Sequence, residues 1–160
     1  MKKSSNIRSY TPTDRDALAS MLSVSEPWRT LGYGTQDWER LFTIVEAGAP
    51  RESYIIECDG QPSGLAVVRR QFLFGDYLEL LAVSPQQRGR GLGRVLLDHV
   101  EERTFVRANN LFACVSDFNA DARRFYQRQG YEEVGTLPNL LIDGRDEILL
   151  RKTTGPARKS

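Results

Sequence analysis

A loop rich in glycine and arginine constrains the fold more than any other feature of this chain. Residues 81–97, LAVSPQQRGRGLGRVLL, run from an apolar segment through Arg88–Arg94 into an amphipathic one. Unpaired N–H groups at a helix start lie at the positive end of the helix dipole, and glycine lets an anion approach them. The pattern therefore predicts a strand, a phosphate-binding loop and a helix in that order. The alternative is a solvated turn before a salt-bridged helix.

Composition limits the classes of function. With 160 residues, 40% of them hydrophobic and 27% charged, we expect one domain over 1–160, an ordered core at about 6–152 and flexible tails. A net charge of +1 and the lack of a long apolar run argue against nucleic acid and membrane partners. A single histidine and scattered cysteines give no metal-ligand spacing, so no metal is expected. Two cysteines without a secretory leader predict a reduced, cytoplasmic protein.

Hydrophobic periodicity predicts a mixed α/β fold. Residues 78–83 and 110–116 are almost continuously apolar, which is typical of strands buried on both faces. Further short strands are predicted at the start of the chain, in a hairpin over residues 53–71, and in two segments after Gly130. Helical spacing predicts four helices, which begin near Thr13, Thr35, Leu92 and Asn119.

Two spaced motifs give the chain a family resemblance. Residues 88–93 fit R/Q-x-x-G-x-G/A, directly after the strand LAVSP. Downstream, VSDFNADARRFYQRQGY fits N-x-x-A-x-x-F-Y-x-x-x-G-[FY] with Asn119 as its first residue. Between about Tyr54 and Lys152 the chain resembles the GNAT superfamily of acetyl-CoA-dependent N-acetyltransferases. The glycine spacing fits neither the dinucleotide fingerprint nor the P-loop, which disfavours a nucleotide-binding module.

The resemblance implies a fold and a co-substrate. It implies a mixed, mostly antiparallel sheet of about seven strands, flanked by about four helices, with strands 4 and 5 splayed apart. Acetyl-CoA would lie in the splay, and an N–H near Leu81 or Ala82 would polarise the thioester carbonyl. The expected cofactor-binding residues are Leu81, Ala82, Val83, Arg88, Gly89, Arg90, Gly91, Leu92, Gly93, Arg94, Asn119 and Tyr126.

The second motif supplies a candidate general acid. By the resemblance, Tyr126 would protonate the departing CoA thiolate. The alternative is that Tyr126 is one of two packed aromatics, and helical spacing already places its neighbour Phe125 in the core. Asn119 is expected both to cap the helix and to contact the cofactor.

A carboxylate in an apolar strand supplies a candidate base. Strand alternation places Tyr77, Glu79, Leu81 and Val83 on one face, with Glu79 near the expected thioester. An ammonium acceptor must lose a proton before it attacks, and Glu79 could accept that proton. The alternative is an internal salt bridge from Glu79 to Arg69 or Arg70.

Two other titratable residues are not expected to react. His99 falls mid-helix on the apolar stripe, which favours a packed, neutral imidazole. Cys114 falls in a buried strand without a histidine nearby in the sequence, so no thiol nucleophile is indicated.

The acceptor is expected to be a primary amine of a small molecule, peptide or protein, attacking directly in a ternary complex. Candidate acceptor-binding residues in the 25–34 loop are Glu26, Trp28 and Tyr33, and the 138–144 loop faces it in the family layout. The protein would be a monomer or a homodimer. The competing hypothesis is a non-catalytic acyl-CoA-binding or sensor domain of the same fold.

Overall fold

The computed structural model of the protein describes residues 5–158. They contain one seven-stranded sheet of order β1-β2-β3-β4-β5-β7-β6, in which β4 and β5 run parallel and the other neighbours antiparallel. The strands are β1 Ser5–Ser9, β2 Arg51–Cys58, β3 Gln61–Phe72, β4 Gly75–Val83, β5 Asn110–Ser116, β6 Glu132–Leu137 and β7 Glu147–Thr153. The helices are α1 Arg15–Ser23, α2 Thr35–Glu46, α3 Leu92–Phe105 and α4 Ala120–Arg128. The predicted mixed, mostly antiparallel architecture is confirmed.

The two faces of the sheet bury separate cores. Ile55 and Ile56 are neighbours in β2, yet the first packs with α1 and α2 and the second with α3 and α4. This alternation follows from the two-residue period of a strand. One core includes Leu18 and Phe42, and the other includes Leu96. Each helix pair therefore covers one face of the sheet.

The first two helices begin slightly differently from their predicted starts. Pro12–Asp14 form a 3-10 turn, and α1 follows at Arg15. The buried carboxylate of Asp14 accepts hydrogen bonds from Arg8 at 2.7 and 2.9 Å, which anchors this turn to β1. Gly34, rather than Thr35, occupies the N-cap of α2. None of the helices within residues 5–158 is both long and apolar enough to cross a membrane.

A β-bulge in β4 changes which residues share a face. Val67 pairs with Leu80 and Val68 with Leu78, so Glu79 is an extra residue without a partner in β3. Beyond the bulge, Leu80 and Ala82 pack with α1 and α2, whereas Leu81 and Val83 pack with α3. The prediction that Glu79 shares a face with Leu81 and Val83 is therefore wrong, because simple alternation fails at a bulge.

The parallel pair β4–β5 separates after four residues. Its ladder joins Gly75–Leu78 to Asn110–Ala113 and then ends, so the two strands splay as expected. Gly75 permits the close approach at the joined end, since a Cβ there would lie 2.2 Å from the Asn110 carbonyl oxygen. The splay leaves backbone groups of β4 and β5 without a neighbouring strand.

Candidate active site

A cleft of about 920 Å³ opens where β4 and β5 separate. It is bounded by the 25–33 loop, β4, the glycine loop with the start of α3, the end of β5, and α4. The predicted site residues that line it are Glu26, Trp28, Tyr33, Glu79, Leu81, Ala82, Val83, Arg88, Gly89, Gly91, Leu92, Gly93, Arg94, Asn119 and Tyr126. Arg90 does not line it, because its exposed side chain turns back to donate to Gln87 Oε1.

The glycine loop forms one end of the cleft. Gly89 and Gly91 have φ angles of 76° and 75°, in the left-handed region that favours glycine. Gly91 is the N-cap of α3 and has no side chain that could accept a hydrogen bond. The first-turn N–H groups from Leu92 to Arg94 are therefore free to donate to a ligand. A Cβ at Gly89 or Gly91 would meet nothing within 4 Å, and both glycines are exposed, so the surface of the loop is open to a ligand. These groups fit a pyrophosphate.

The middle of the cleft presents backbone groups of β4. Ser84 N donates to Ser63 O at 2.8 Å, which fixes the alternation of hydrogen-bonded pairs between β3 and β4. By that alternation Leu80 and Ala82 bond to β3, whereas Leu81 and Val83 direct their N–H and C=O groups towards the splay. Of the two predicted oxyanion donors, the register therefore favours the N–H of Leu81 over that of Ala82. An extended amide-bearing chain fits here as an added strand.

Tyr126 lies on α4 beside this backbone. Its ring makes edge contacts of 5.2 Å with Phe125 and with Tyr131, and the side chain is almost fully buried. Burial, and then the nearby Cys114, raise the pKa of Tyr126, so its hydroxyl stays protonated at neutral pH. Within residues 5–158 that hydroxyl has no hydrogen-bond partner, which leaves it free to donate to a ligand.

Asn119 has the structural role expected of it. Its Oδ1 accepts a hydrogen bond of 3.2 Å from Ala122 N, so it caps α4, and it also lines the cleft. Its contact with the cofactor stays a prediction.

Glu79 is held in an ion pair. Arg51 Nε and Nη2 donate to its two carboxylate oxygens at 2.7 and 3.0 Å, across two strands of the sheet. The alternative prediction of a salt bridge at Glu79 is therefore right in kind but wrong in partner, because the partner is Arg51 and not Arg69 or Arg70. The bulge turns Glu79 towards the α1 and α2 side, where Arg51 begins β2. A catalytic role for Glu79 stays a prediction.

The family follows from a sequence profile. The profile of the acetyltransferase (GNAT) family matches residues 18–131. The chain belongs to this family. It is 35% identical over 105 residues to an uncharacterized N-acetyltransferase of Methanocaldococcus jannaschii, covering 64% of this chain and 67% of that protein.

Solved structures share the GNAT fold. The ribosomal-protein-S18-alanine N-acetyltransferase of Escherichia coli superposes with a TM-score of 0.79 at 21% identity, over 98% of both chains. An aminoglycoside 6′-N-acetyltransferase in complex with coenzyme A gives a TM-score of 0.77 at 19% identity, over 97% of this chain and 99% of that one. At these identities the likeness shows the fold.

Several polar residues of the GNAT cleft were not selected as site residues from the sequence, among them Tyr77, Cys114, Ser116 and Glu147. Glu147 begins β7 and is 4% exposed, and Ser116 Oγ donates to its Oε1 at 2.5 Å. Burial raises the pKa of the Glu147 carboxyl. Glu147 is a carboxylate at the head of the apolar run EILLRK, just as Glu79 is a carboxylate within YLELLAV, and this pattern is the signal that the sequence offers for it.

The 25–34 loop, which is expected to bind the acceptor, packs on α2. The ring of Trp38 contacts Tyr33 at 5.3 Å and Trp28 at 6.1 Å between centroids, and both loop aromatics still line the cleft. Leu141, from the 138–144 loop, lines it too. The two loops that were expected to face each other therefore border the same cleft.

Charge is segregated along the GNAT cleft. The cations that line it, among residues 5–158, are Arg88, Arg94 and Arg128. Glu26, Glu79 and Glu147 line it from the elements at its other end, and a further lining carboxylate, Asp121 at the start of α4, is paired with Arg124. The end at the glycine loop therefore suits phosphate, and the opposite end suits a cation. Within the same residues, no group of three or more His, Cys, Asp or Glu side chains could hold a metal ion.

His99 and Cys114 are placed as inert groups. The His99 ring contacts Tyr54 edge-on at 4.7 Å, and its Nε2 accepts a 3.1 Å hydrogen bond from Arg103. Burial and Arg103 lower the pKa of His99, which favours the neutral imidazole. Burial raises the pKa of the Cys114 thiol, which opposes formation of a nucleophilic thiolate.

Breaking the Glu79–Arg51 pair should lower stability. Glu79→Gln removes the charge that both guanidinium donors contact, and the side chains are only 19% and 18% exposed. We expect a loss of about 1–2 kcal/mol in the free energy of unfolding, or roughly 3–6 °C in Tm. Thermal denaturation measures it. Glu132→Gln, at an exposed β6 residue, is the control, and equal Tm values for the two variants would refute a stabilising pair.

Proposed function

We propose that the protein transfers the acetyl group of acetyl-CoA to a primary amine of a small molecule, peptide or protein, by direct attack in a ternary complex. The observation that carries the proposal is the continuity of one cleft from the glycine loop to Tyr126. Along it lie free amides, then the unpaired β4 backbone, then a hydroxyl without a partner. Membership of the GNAT family and the fold shared with a CoA-bound N-acetyltransferase support it.

The residues of the chain divide the work. Amides at residues 89–94 hold the pyrophosphate, and the backbone of Leu81 and Val83 aligns the pantetheine arm. The N–H of Leu81 donates to the carbonyl oxygen, where negative charge develops during attack. Acetyl-CoA supplies an acetyl group already activated as a thioester.

Tyr126 acts on the leaving sulfur. Burial raises the pKa of the Tyr126 hydroxyl, whereas the pKa of a thiol such as that of CoA is about 8.5. Full proton transfer from Tyr126 to the thiolate is therefore uphill. The hydroxyl stabilises the developing thiolate mainly by donating a hydrogen bond.

Tyr126→Phe should slow acetyl transfer without abolishing it. The substitution keeps the ring and its edge contacts but removes the donor, so kcat should fall about 10²-fold, as expected when one hydrogen-bond donor to a developing negative charge is lost. Steady-state release of CoA thiol measures it. Tyr131→Phe is the matched control, because its hydroxyl binds Glu101 at 3.1 Å outside the cleft. An unchanged kcat in Tyr126→Phe, with chemistry still rate-limiting, would assign Tyr126 to packing alone.

A panel of amines tests the function. Tyramine, spermidine, kanamycin and an alanine-initiated peptide sample small, polycationic and peptidic acceptors. The carboxylates and aromatic rings at the acceptor end favour a cationic amine. Acetyl-CoA-dependent acetylation of at least one amine is expected. Tight CoA binding with no acetylation in this panel or a wider one would instead support a non-catalytic acyl-CoA-binding domain.

A further inference from the structure

Glu147 presents one free carboxylate oxygen to the cleft. It lies opposite Ser116 in the β5–β7 ladder, just beyond the point where β4 and β5 part. Ser116 Oγ donates to Oε1, while Oε2 accepts no hydrogen bond within residues 5–158. Within residues 5–158, the polar side-chain atoms that are both sealed from solvent and unpaired belong to Trp38, Ser53 and Asp117. The unpaired Oε2 is therefore accessible, and Glu147 lines the cleft.

The titratable neighbours of Glu147 define its environment. The groups that interact with it electrostatically include Tyr33 of the 25–34 loop, Tyr77 of β4, Cys114 of β5 and Asp117 just after β5. Among residues 5–158 it takes part in no ion pair, whereas both oxygens of Glu79 already bind Arg51. A buried carboxylate without a counterion is costly, so a function that uses it is favoured.

We propose that Glu147 binds the acceptor ammonium through Oε2 and accepts its proton. This assignment rests on the proposed N-acetyl transfer. Glu147 lies opposite Ser116 at the end of β5 and lines the same cleft as Tyr33 of the 25–34 loop and Tyr126 of α4, where an incoming amine would meet the thioester. Glu79, paired with Arg51, serves instead to hold the bulge in place.

The step balances. The ammonium gives one proton to Glu147, directly or through a water, and the freed lone pair forms the C–N bond to the thioester carbon. The C–S bond breaks, and the departing thiolate accepts a hydrogen bond from Tyr126 and then the second proton of the nitrogen. Glu147 returns its proton to solvent. The products are the amide, CoA thiol and one proton.

The environment of Glu147 suits this task. Burial, and then repulsion by Asp117, raise its pKa towards the operating pH, which strengthens a general base. Because the pKa is raised in the folded state, the associated stability is present below the unfolded pKa and is lost as pH rises through the folded pKa. The charged carboxylate thus destabilises the free protein at neutral pH, and an arriving ammonium removes that cost.

The test compares Glu147→Gln with Glu79→Gln, using the panel amine that the wild-type protein acetylates fastest. Glu147→Gln keeps an acceptor for Ser116 but loses basicity. We expect kcat/KM near pH 7 to fall by about 10²-fold or more, with partial recovery towards about pH 9 as free amine becomes available. The Kd for acetyl-CoA should not change. The Tm of the variant at about pH 8 should be no lower than that of the wild type. The Tm difference, variant minus wild type, should be more positive at about pH 8 than at about pH 5.

Glu79→Gln should have the opposite effect on stability, with a Tm below that of the wild type, because its ion pair with Arg51 is lost. Retention of the wild-type rate and profile by Glu147→Gln would overturn the proposal. So would a lower Tm together with weaker acetyl-CoA binding, because both indicate a structural role. If the wild-type protein binds CoA but acetylates no amine, the proposed function fails first and this assignment with it, before any variant is compared.

Discussion

A Gly91→Val variant is expected to lose at least about 100-fold in affinity for acetyl-CoA while remaining folded. Gly91 adopts a φ of 75°, where a β-branched residue costs on the order of 1–3 kcal/mol. Valine relieves that strain by returning φ to negative values, which re-aims the amides at the start of α3. Several hydrogen bonds to the pyrophosphate would be lost together, and about 2.7 kcal/mol already corresponds to 100-fold.

Isothermal titration with acetyl-CoA measures this loss. Gly60→Val is a closely matched control, because Gly60 has a φ of 77° and equally open space but lies in the β2–β3 turn outside the cleft. Both variants carry a similar backbone strain, so they should melt at similar temperatures. Wild-type CoA affinity in a folded Gly91→Val protein would exclude the glycine loop as the phosphate site.

A Gly75→Ala variant is expected to lose about 3 kcal/mol in the free energy of unfolding, or roughly 10 °C in Tm. The added Cβ would lie 2.2 Å from Asn110 O and 2.8 Å from Asn110 C, both backbone atoms that cannot rotate away. Relief requires β4 and β5 to separate at their joined end, where only four residue pairs hold them. The point from which β4 and β5 splay apart, which we call the vertex, would then no longer be fixed.

Gly135→Ala is the control for this substitution, since a Cβ at Gly135 on exposed β6 would meet nothing within 4 Å. Its Tm should stay close to that of the wild type. Equal Tm values for the two alanine variants would show that β4 and β5 can yield at no cost. Weakened acetyl-CoA binding by Gly75→Ala below its Tm would further connect the vertex to the site.

Local signals sufficed for the fold and for the elements that form the glycine-loop end of the cleft. Periodicity located all seven strands and four helices, because each buries a face whose spacing is visible in the sequence. The glycine loop and the helix from Asn119 were found for the same reason. Their N–H groups, turns and caps depend on neighbours a few residues away.

The opposite end of the cleft, where we propose that the acceptor binds, depends on contacts between distant parts of the chain. The bulge at Glu79 follows from the register between β3 and β4, and strand alternation alone places its side chain wrongly. Its partner Arg51 lies 28 residues earlier in the sequence. Glu147 enters the cleft only because β7 lies beside β5, a neighbour relation that no local pattern specifies.

Quantifying both products of one reaction tests the central claim most directly. With acetyl-CoA and the panel amines, the thiol released is measured by a chromogenic disulfide, and the acetylated amine by mass spectrometry in the same sample. We predict one acetylated amine per CoA released, with turnover reduced in Tyr126→Phe and lost in Gly91→Val. Release of CoA without an acetylated amine, or equal turnover in all three proteins, would contradict acetyl transfer in this cleft.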